Sequence, residues 1–127
     1  MRVGFIGLGN MGAAQAAEIA RAGFELSVYD AFARTLDAFT GGTRAGSPAE
    51  VAARCEIIGV CVRDEQQVRE VICGSDGLAQ SISRGALVLV HSTVSPATIR
   101  CSRWNCAASA AGDTCTRGSG TIAIGCV

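Results

Sequence analysis

Short apolar segments alternate with amphipathic ones along the first hundred residues of the chain. Apolar runs of roughly four to eight residues bounded by turn residues predict buried strands, whereas apolar positions spaced three or four apart predict helices. By this criterion the sequence predicts strands over 2–8, 24–30, 56–62 and 85–92. The segments between them predict helices over 10–23, 31–39, 64–73 and 95–100, with a further helix beginning at Pro48.

Capping signals support these helices. Ser47 followed by Pro48 is typical of an N-cap with proline at the first helical position. Asp64 and Glu65 place negative charge in the first turn of the helix that follows the third strand, and Gly74 is placed to end it. Because strands that alternate with helices form parallel sheets with right-handed crossovers, the sequence predicts an α/β fold, a Rossmann-type doubly wound parallel sheet.

The pattern changes at residue 101. The segment 101–127 holds four of the seven cysteines, contains no leucine, glutamate or proline, and shows no helical periodicity. Only 121–125 has the pattern of a strand. We therefore divide the chain into a Rossmann domain at 1–100 and an irregular tail at 101–127, which leaves the sheet incomplete at its C-terminal end. A shifted reading frame explains the abrupt change, and a genuine short variant is the alternative.

Composition narrows the class of protein. The 127 residues are 49% hydrophobic and 17% charged, with 11 basic and 11 acidic side chains, which indicates a globular domain. No basic block is present, so nucleic acid and anionic membranes are not expected partners. The apolar runs fall short of the roughly 18 residues of a membrane span, and no signal peptide is apparent, so we expect a cytoplasmic protein. The cysteine spacing does not match a zinc site, and no metal is predicted.

Three glycines follow the first strand, in the segment VGFIGLGNMG at 3–12. In a strand–turn–helix unit, Gly7 would allow the tight turn, Gly9 would let a pyrophosphate approach the backbone, and Gly12 would let the helix pack closely on the sheet. The phosphates would then meet the free N–H groups and positive dipole end of the helix near Asn10. The spacing predicts a dinucleotide cofactor.

An acidic residue ends the second strand. There the carboxylate of Asp30 can accept hydrogen bonds from the ribose hydroxyls of the adenosine half of the cofactor. The same negative charge repels a 2′-phosphate, which favours NAD. Arg34 is the nearby cation that could accept such a phosphate, so NADP stays the alternative. We assign no catalytic residue, and His91, the single histidine, is expected in a loop near the cofactor.

Four segments carry a resemblance to a known family, and they occur in its order: VGFIGLGNMG, AGFELSVYD, CVRDEQQVREVICGSDGL and HSTVSPATIR. Together they resemble the 3-hydroxyisobutyrate dehydrogenases, or β-hydroxyacid dehydrogenases, whose nucleotide domain is shared with 6-phosphogluconate dehydrogenase. The resemblance covers about residues 1–100. It implies an NAD(P)-dependent oxidoreductase that transfers hydride between the cofactor and a small 3-hydroxy acid.

The resemblance also implies cofactor contacts beyond the glycines and Asp30. Those around the pyrophosphate would be Leu8, Asn10 and Met11. Those at the nicotinamide end would be Cys61, Val62 and Thr93.

The sequence lacks a residue type that the family uses for catalysis. The family carries a catalytic lysine in a large second domain, and this chain contains no lysine. We therefore expect a truncated, cofactor-binding form with little or no turnover. Two alternatives are a non-catalytic dinucleotide-binding module and a relative of the imine reductases, which share this N-terminal domain.

Overall fold

The computed structural model describes residues 1–83 and 85–91, and the backbone of three further strands. The strands are β1 (Arg2–Ile6), β2 (Glu25–Tyr29), β3 (Thr43–Arg44), β4 (Ile57–Val60), β5 (Ala86–Val90), β6 (Asn105–Ala107), β7 (Thr114–Arg117) and β8 (Gly120–Ile124). The helices are α1 (Asn10–Arg21), α2 (Ala33–Ala38), α3 (Pro48–Arg54) and α4 (Glu65–Cys73), with a 3₁₀ turn at Leu78–Gln80.

The strands form one sheet in the order β3-β2-β1-β4-β5-β8-β7-β6. From β3 to β8 the neighbouring strands are parallel, and β7 and β6 continue the sheet in antiparallel pairing. The predicted Rossmann-type α/β fold is confirmed. After β1 the chain adds β2 and β3 on one side of that strand, and it then returns to pair β4 with the other side of β1. This reversal creates the crevice where open α/β sheets bind ligands.

Two hydrophobic clusters cover opposite faces of the sheet. Successive side chains of a strand point to opposite faces, so β1 contributes to both clusters. Phe5 packs in one cluster with Ala16 of α1, and Ile6 packs in the other with Val51 of α3 and Ile72 of α4. These five side chains are almost completely buried. The sheet is therefore covered on both faces, as expected for strands that are continuously apolar.

The predicted N-cap at Ser47 is present, and Asp64, predicted in the first turn of its helix, is the N-cap of α4. The Ser47 hydroxyl accepts the Glu50 N–H at 3.1 Å, and the Asp64 carboxylate accepts the Gln67 N–H at 2.9 Å. Gly74 ends α4. Each cap satisfies a backbone donor that the helix leaves without an intrahelical partner. The predicted helix over 95–100 lies outside the described residues.

Two parts of the sheet differ from the sequence prediction. The first is β3, a two-residue strand with no apolar pattern of its own, which pairs with β2 through Ser27 and Thr43. The second is the tail. The strand predicted over 121–125 is present as β8, parallel to β5, but β6 and β7 were not expected. The division at residue 100 remains a prediction.

In the described part of the chain, every helix is too short or too polar to cross a membrane.

Close packing of α3 on β1 gives a first test. A Cβ added at Gly4 would lie 2.3 Å from Cγ1 of Val51, which is fully buried. We expect Gly4→Ala to lower the free energy of unfolding by about 1–3 kcal/mol, because the added methyl forces repacking. Urea denaturation measures the loss.

The double variant Gly4→Ala/Val51→Ala is the matched control, since the second substitution removes the opposing methyl group. Its loss should be smaller than the sum of the single losses by about 1 kcal/mol. Strict additivity would show that the two positions are not in contact.

Candidate functional site

The carboxyl ends of β1, β2 and β4 open into a cleft of about 1100 Å³. Nine of the ten residues predicted to bind a cofactor line this cleft. They are Gly7, Leu8, Gly9, Asn10, Met11, Gly12, Asp30, Cys61 and Val62. The tenth, Thr93, lies outside the described residues. Residues far apart in sequence therefore meet at the crevice that the strand order creates.

Gly7 makes the turn from β1 into the loop. Its φ is +95°, a conformation that residues with a side chain rarely adopt. A Cβ there would lie 2.0 Å from the carbonyl oxygen of Cys61. The Gly7 N–H donates to the Tyr29 carbonyl at 3.0 Å, so the turn is bonded to the end of β2. Glycine is therefore required at position 7 for two reasons: the positive φ of the turn, and the close approach of the loop to the residue that follows β4.

Gly12 and Gly9 differ in what surrounds them. A Cβ at Gly12 would lie 1.9 Å from the Gly7 carbonyl oxygen, so α1 can pack against the loop only without a side chain there. At Gly9, by contrast, no described atom beyond its two chain neighbours lies within 4 Å of the Cβ position. Gly9 is also the N-cap of α1, whose first turn contains no acidic residue. The open space at Gly9 therefore faces the positive end of the helix.

The Asp30 carboxylate is bonded to backbone on both sides. Its Oδ2 accepts the Leu8 N–H at 2.8 Å, and its Oδ1 accepts the Phe32 N–H at 2.8 Å. The sequence predicted an acidic group at this strand end but not its bond to the glycine loop. A carboxylate oxygen can accept more than one hydrogen bond, so both oxygens keep capacity for a ligand hydroxyl.

Negative charge predominates along the cleft. Asp30, Glu70 and Asp76 line it, whereas Arg63 is the basic residue among its described lining. Burial, and then the charges of Asp30, Asp76 and Glu70, raise the pKa of the Tyr29 phenol, which lies in the same cleft. The cleft is therefore unfavourable for additional anionic groups, apart from the region at the α1 N-terminus.

The end of the cleft near β4 is less polar. Cys61 is partly buried, and burial raises the pKa of its thiol, so the group is protonated at neutral pH. Its N–H donates to the Ile6 carbonyl at 2.8 Å. The His91 ring stacks on Phe5, with ring centroids 6.1 Å apart, on the α1 side of the sheet. Among the described residues, no group of three or more potential ligands is placed to hold a metal ion.

Sequence reasoning missed Phe32. This side chain is 63% exposed and lines the cleft two residues after Asp30. An exposed aromatic residue at the rim of a cleft offers a flat apolar surface to a ligand ring. The signal that could have revealed it is an aromatic residue directly beyond the acidic end of a strand, outside any predicted core.

The chain matches the profile of a family described as the NAD binding domain of 6-phosphogluconate dehydrogenase over residues 2–112. The match extends past residue 100, where the resemblance in the sequence ends. The matched region ends at residue 112, beyond the four segments that carry the resemblance in the sequence.

Individual proteins agree with this match. The mitochondrial 3-hydroxyisobutyrate dehydrogenase of Mus musculus is 36% identical over 96 residues, which are 74% of this chain and 29% of the mouse protein. The structure of 3-hydroxyisobutyrate dehydrogenase from Salmonella typhimurium aligns with a TM-score of 0.68 and 32% identity, covering 77% of this chain and 35% of that one.

A variant of the imine reductase from Myxococcus stipitatus, solved in complex with NAD+, aligns with a TM-score of 0.64 and 25% identity. The alignment covers 76% of this chain and 33% of that one. The chain thus spans about a third of the length of each of these proteins. It belongs to the family of the NAD-binding domain of 6-phosphogluconate dehydrogenase, as an NAD(P)-binding domain of the kind found in 3-hydroxyisobutyrate dehydrogenase-like oxidoreductases.

Proposed function

We propose that the cleft binds NAD with the pyrophosphate over Gly9, against the first turn of α1. The observation that carries this proposal is the contrast among the three loop glycines. Backbone atoms fill the Cβ positions of Gly7 and Gly12, whereas the Cβ position of Gly9 is open. Loop packing therefore accounts for two of the glycines. The third leaves room for an anion beside the N–H groups and dipole of the helix.

The two ends of the dinucleotide then have assigned places. At the adenosine end, Asp30 accepts from the ribose hydroxyls and Phe32 stacks on the adenine. At the nicotinamide end we propose Cys61, Val62 and Thr93, the residues that the family resemblance implies there. Leu8, Asn10 and Met11 surround the pyrophosphate. The Leu8 N–H is already bonded to Asp30, so Leu8 contributes to the shape of the site and leaves phosphate binding to its neighbours.

We propose NAD as the preferred cofactor. The 2′-phosphate of NADP would add negative charge to a cleft lined by Asp30, Glu70 and Asp76. Arg34, the cation that could accept this phosphate, is absent from the described lining, which holds Arg63 instead. Coulomb repulsion from three carboxylates outweighs attraction to one guanidinium at similar distances.

The proposed reaction is hydride transfer between the cofactor and a small 3-hydroxy acid, by relation to the 3-hydroxyisobutyrate dehydrogenases. The cofactor supplies this chemistry, and the described residues bind and orient it. Proton transfer needs a further donor, and the family's lysine has no counterpart in these 127 residues. We therefore expect these 127 residues by themselves to bind the dinucleotide with little turnover; a non-catalytic dinucleotide-binding module is the alternative.

The second candidate is imine reduction, favoured by the likeness to the Myxococcus stipitatus enzyme. The cytoplasmic location remains a prediction, and the name of the mouse relative places that protein in mitochondria.

The pyrophosphate position is tested by Gly9→Ala. The substitution should leave the fold intact, because the backbone at Gly9 is extended and the Cβ position is open. It should weaken NADH binding by about tenfold or more, because the methyl occupies the space of the pyrophosphate. NADH fluorescence titration measures the affinity, and circular dichroism checks the fold.

Gly46→Ala is a matched control outside the cleft, where the added Cβ meets only Oε2 of Glu50, at the far end of that side chain, at 3.0 Å. It should bind NADH as the wild type does. Unchanged NADH affinity in Gly9→Ala would show that the pyrophosphate does not lie over Gly9.

Adenine stacking is tested by Phe32→Ala. Loss of the ring should weaken both NADH and ADP binding by about fivefold or more, because stacking on an aromatic ring is worth about 1–3 kcal/mol per base. Phe24→Ala is the control, since Phe24 is also exposed, at 45%, but lies outside the cleft lining. Equal behaviour of the two variants would show that Phe32 does not contact the base.

Cofactor preference is tested on the unmodified chain. NADH should bind about tenfold more tightly than NADPH at low salt, because the acidic lining repels the 2′-phosphate. Screening should narrow this ratio as ionic strength rises from about 0.01 M to about 1 M, where the Debye length falls to roughly 3 Å. Tighter binding of NADPH than of NADH would show that NADP, and not NAD, is the preferred cofactor.

A further inference from the structure

The glycine loop is held in place by a side chain that is distant in sequence. Leu8 donates its N–H to Oδ2 of Asp30 at 2.8 Å across a separation of 22 residues. The bond is partly buried. It joins the loop after β1 to the end of β2 in the chain without ligand. The Asp30 carboxylate therefore interacts with the loop before any cofactor is bound.

The other hydrogen bonds described for this loop are made between backbone atoms. The Gly7 N–H donates to the Tyr29 carbonyl at 3.0 Å, and the Gly9 carbonyl accepts from Ala13 at 2.8 Å. Backbone bonds persist through most substitutions. In the described part of the chain, the Asp30 carboxylate is thus the side chain that positions residues 7–9 by hydrogen bonding.

The chemistry of the group suits this position. Two N–H donors, from Leu8 and Phe32, point at one side chain, and a carboxylate presents two oxygens that only accept. An asparagine would turn its NH₂ toward one of the two donors. Hydrogen bonds to an ionised acceptor are also stronger than those between neutral groups. The Asp30 carboxylate therefore accepts one backbone N–H from the glycine loop and one from the rim of the cleft.

We propose that Asp30 is a positioning residue for the pyrophosphate loop, and that it raises cofactor affinity by holding the loop in its binding shape, in addition to any contact with ribose. This inference rests on the proposed function of the cleft. A loop that is fixed before binding avoids the entropic cost of ordering when the ligand arrives. Asp30 therefore contributes to the affinity for ligands that lack ribose hydroxyls.

Two ligands separate this role from ribose contact. ADP carries both hydroxyls of its ribose, whereas 2′,3′-dideoxy-ADP carries neither, and both present the same pyrophosphate. Isothermal titration calorimetry compares them on the wild-type chain and on Asp30→Ala. We expect Asp30→Ala to bind 2′,3′-dideoxy-ADP about tenfold more weakly than the wild type does, as for loss of a hydrogen bond to a charged group.

Asp37→Ala is the matched control. It also removes one negative charge, but Asp37 lies on α2 outside the cleft lining and pairs with Arg44 at 3.0 Å. It should leave the affinity for both nucleotides unchanged. Asp30→Asn, which keeps one acceptor oxygen, serves as the second variant if Asp30→Ala fails to fold, and it should show a smaller loss in the same direction.

Amide hydrogen exchange without ligand tests the tether separately from binding. In Asp30→Ala, or in Asp30→Asn, exchange at Leu8 should accelerate by about tenfold, while exchange at Val28 and Ile58 in the sheet stays unchanged. A uniform acceleration would indicate general destabilisation and would overturn the proposal. So would unchanged exchange at Leu8, or a loss of affinity confined to ADP. Absence of NADH binding by the wild-type chain, with Leu8 exchange still dependent on Asp30, would overturn the proposed function and leave the tether in place.

Discussion

The architecture of the site depends on a crossing of backbone segments that has no room for side chains. The loop after β1 passes over the end of β4 at Gly7, and α1 then packs against the same loop at Gly12. Cβ atoms at these positions would lie 2.0 and 1.9 Å from carbonyl oxygens, far inside van der Waals contact. Because the crossing is this close, the N-terminus of α1 lies directly over the crevice between β1 and β4.

The crossing is linked to the rest of the cleft by Asp30. The end of β2 binds the loop through the Tyr29 carbonyl and the Asp30 carboxylate, and Asp30 also orders the turn that presents Phe32. The parts of the cleft proposed for adenosine and pyrophosphate are thus joined by hydrogen bonds into one unit. A group that the sequence suggests for ligand binding also organises the unligated site.

Much of this arrangement could be predicted from local sequence. Glycine spacing predicted the turn at Gly7 and the close helix packing at Gly12. The cap at Ser47 and the acidic residues at 64–65 predicted helix starts that the structure confirms. These features depend on neighbouring residues. The bond between Leu8 and Asp30 could not be foreseen, because it depends on where two distant segments meet.

The other differences between the sequence prediction and the structure also arise from features that have no local sequence pattern. Phe32 has no periodic pattern that separates a cleft position from ordinary exposure. The short strand β3 and the strands β6 and β7 carry no apolar alternation, so only their pairing with neighbouring strands defines them. Composition identified the change after residue 100, but it could not predict that β8 would pair with β5.

Amide chemical-shift mapping with NAD shows directly whether the pyrophosphate lies on the first turn of α1 above the glycine loop. We expect the largest saturable shifts at the amides of Gly9, Asn10 and Met11, with smaller ones at Phe32. Saturable shifts confined to another surface, or the absence of shifts in a folded chain, would contradict this expectation.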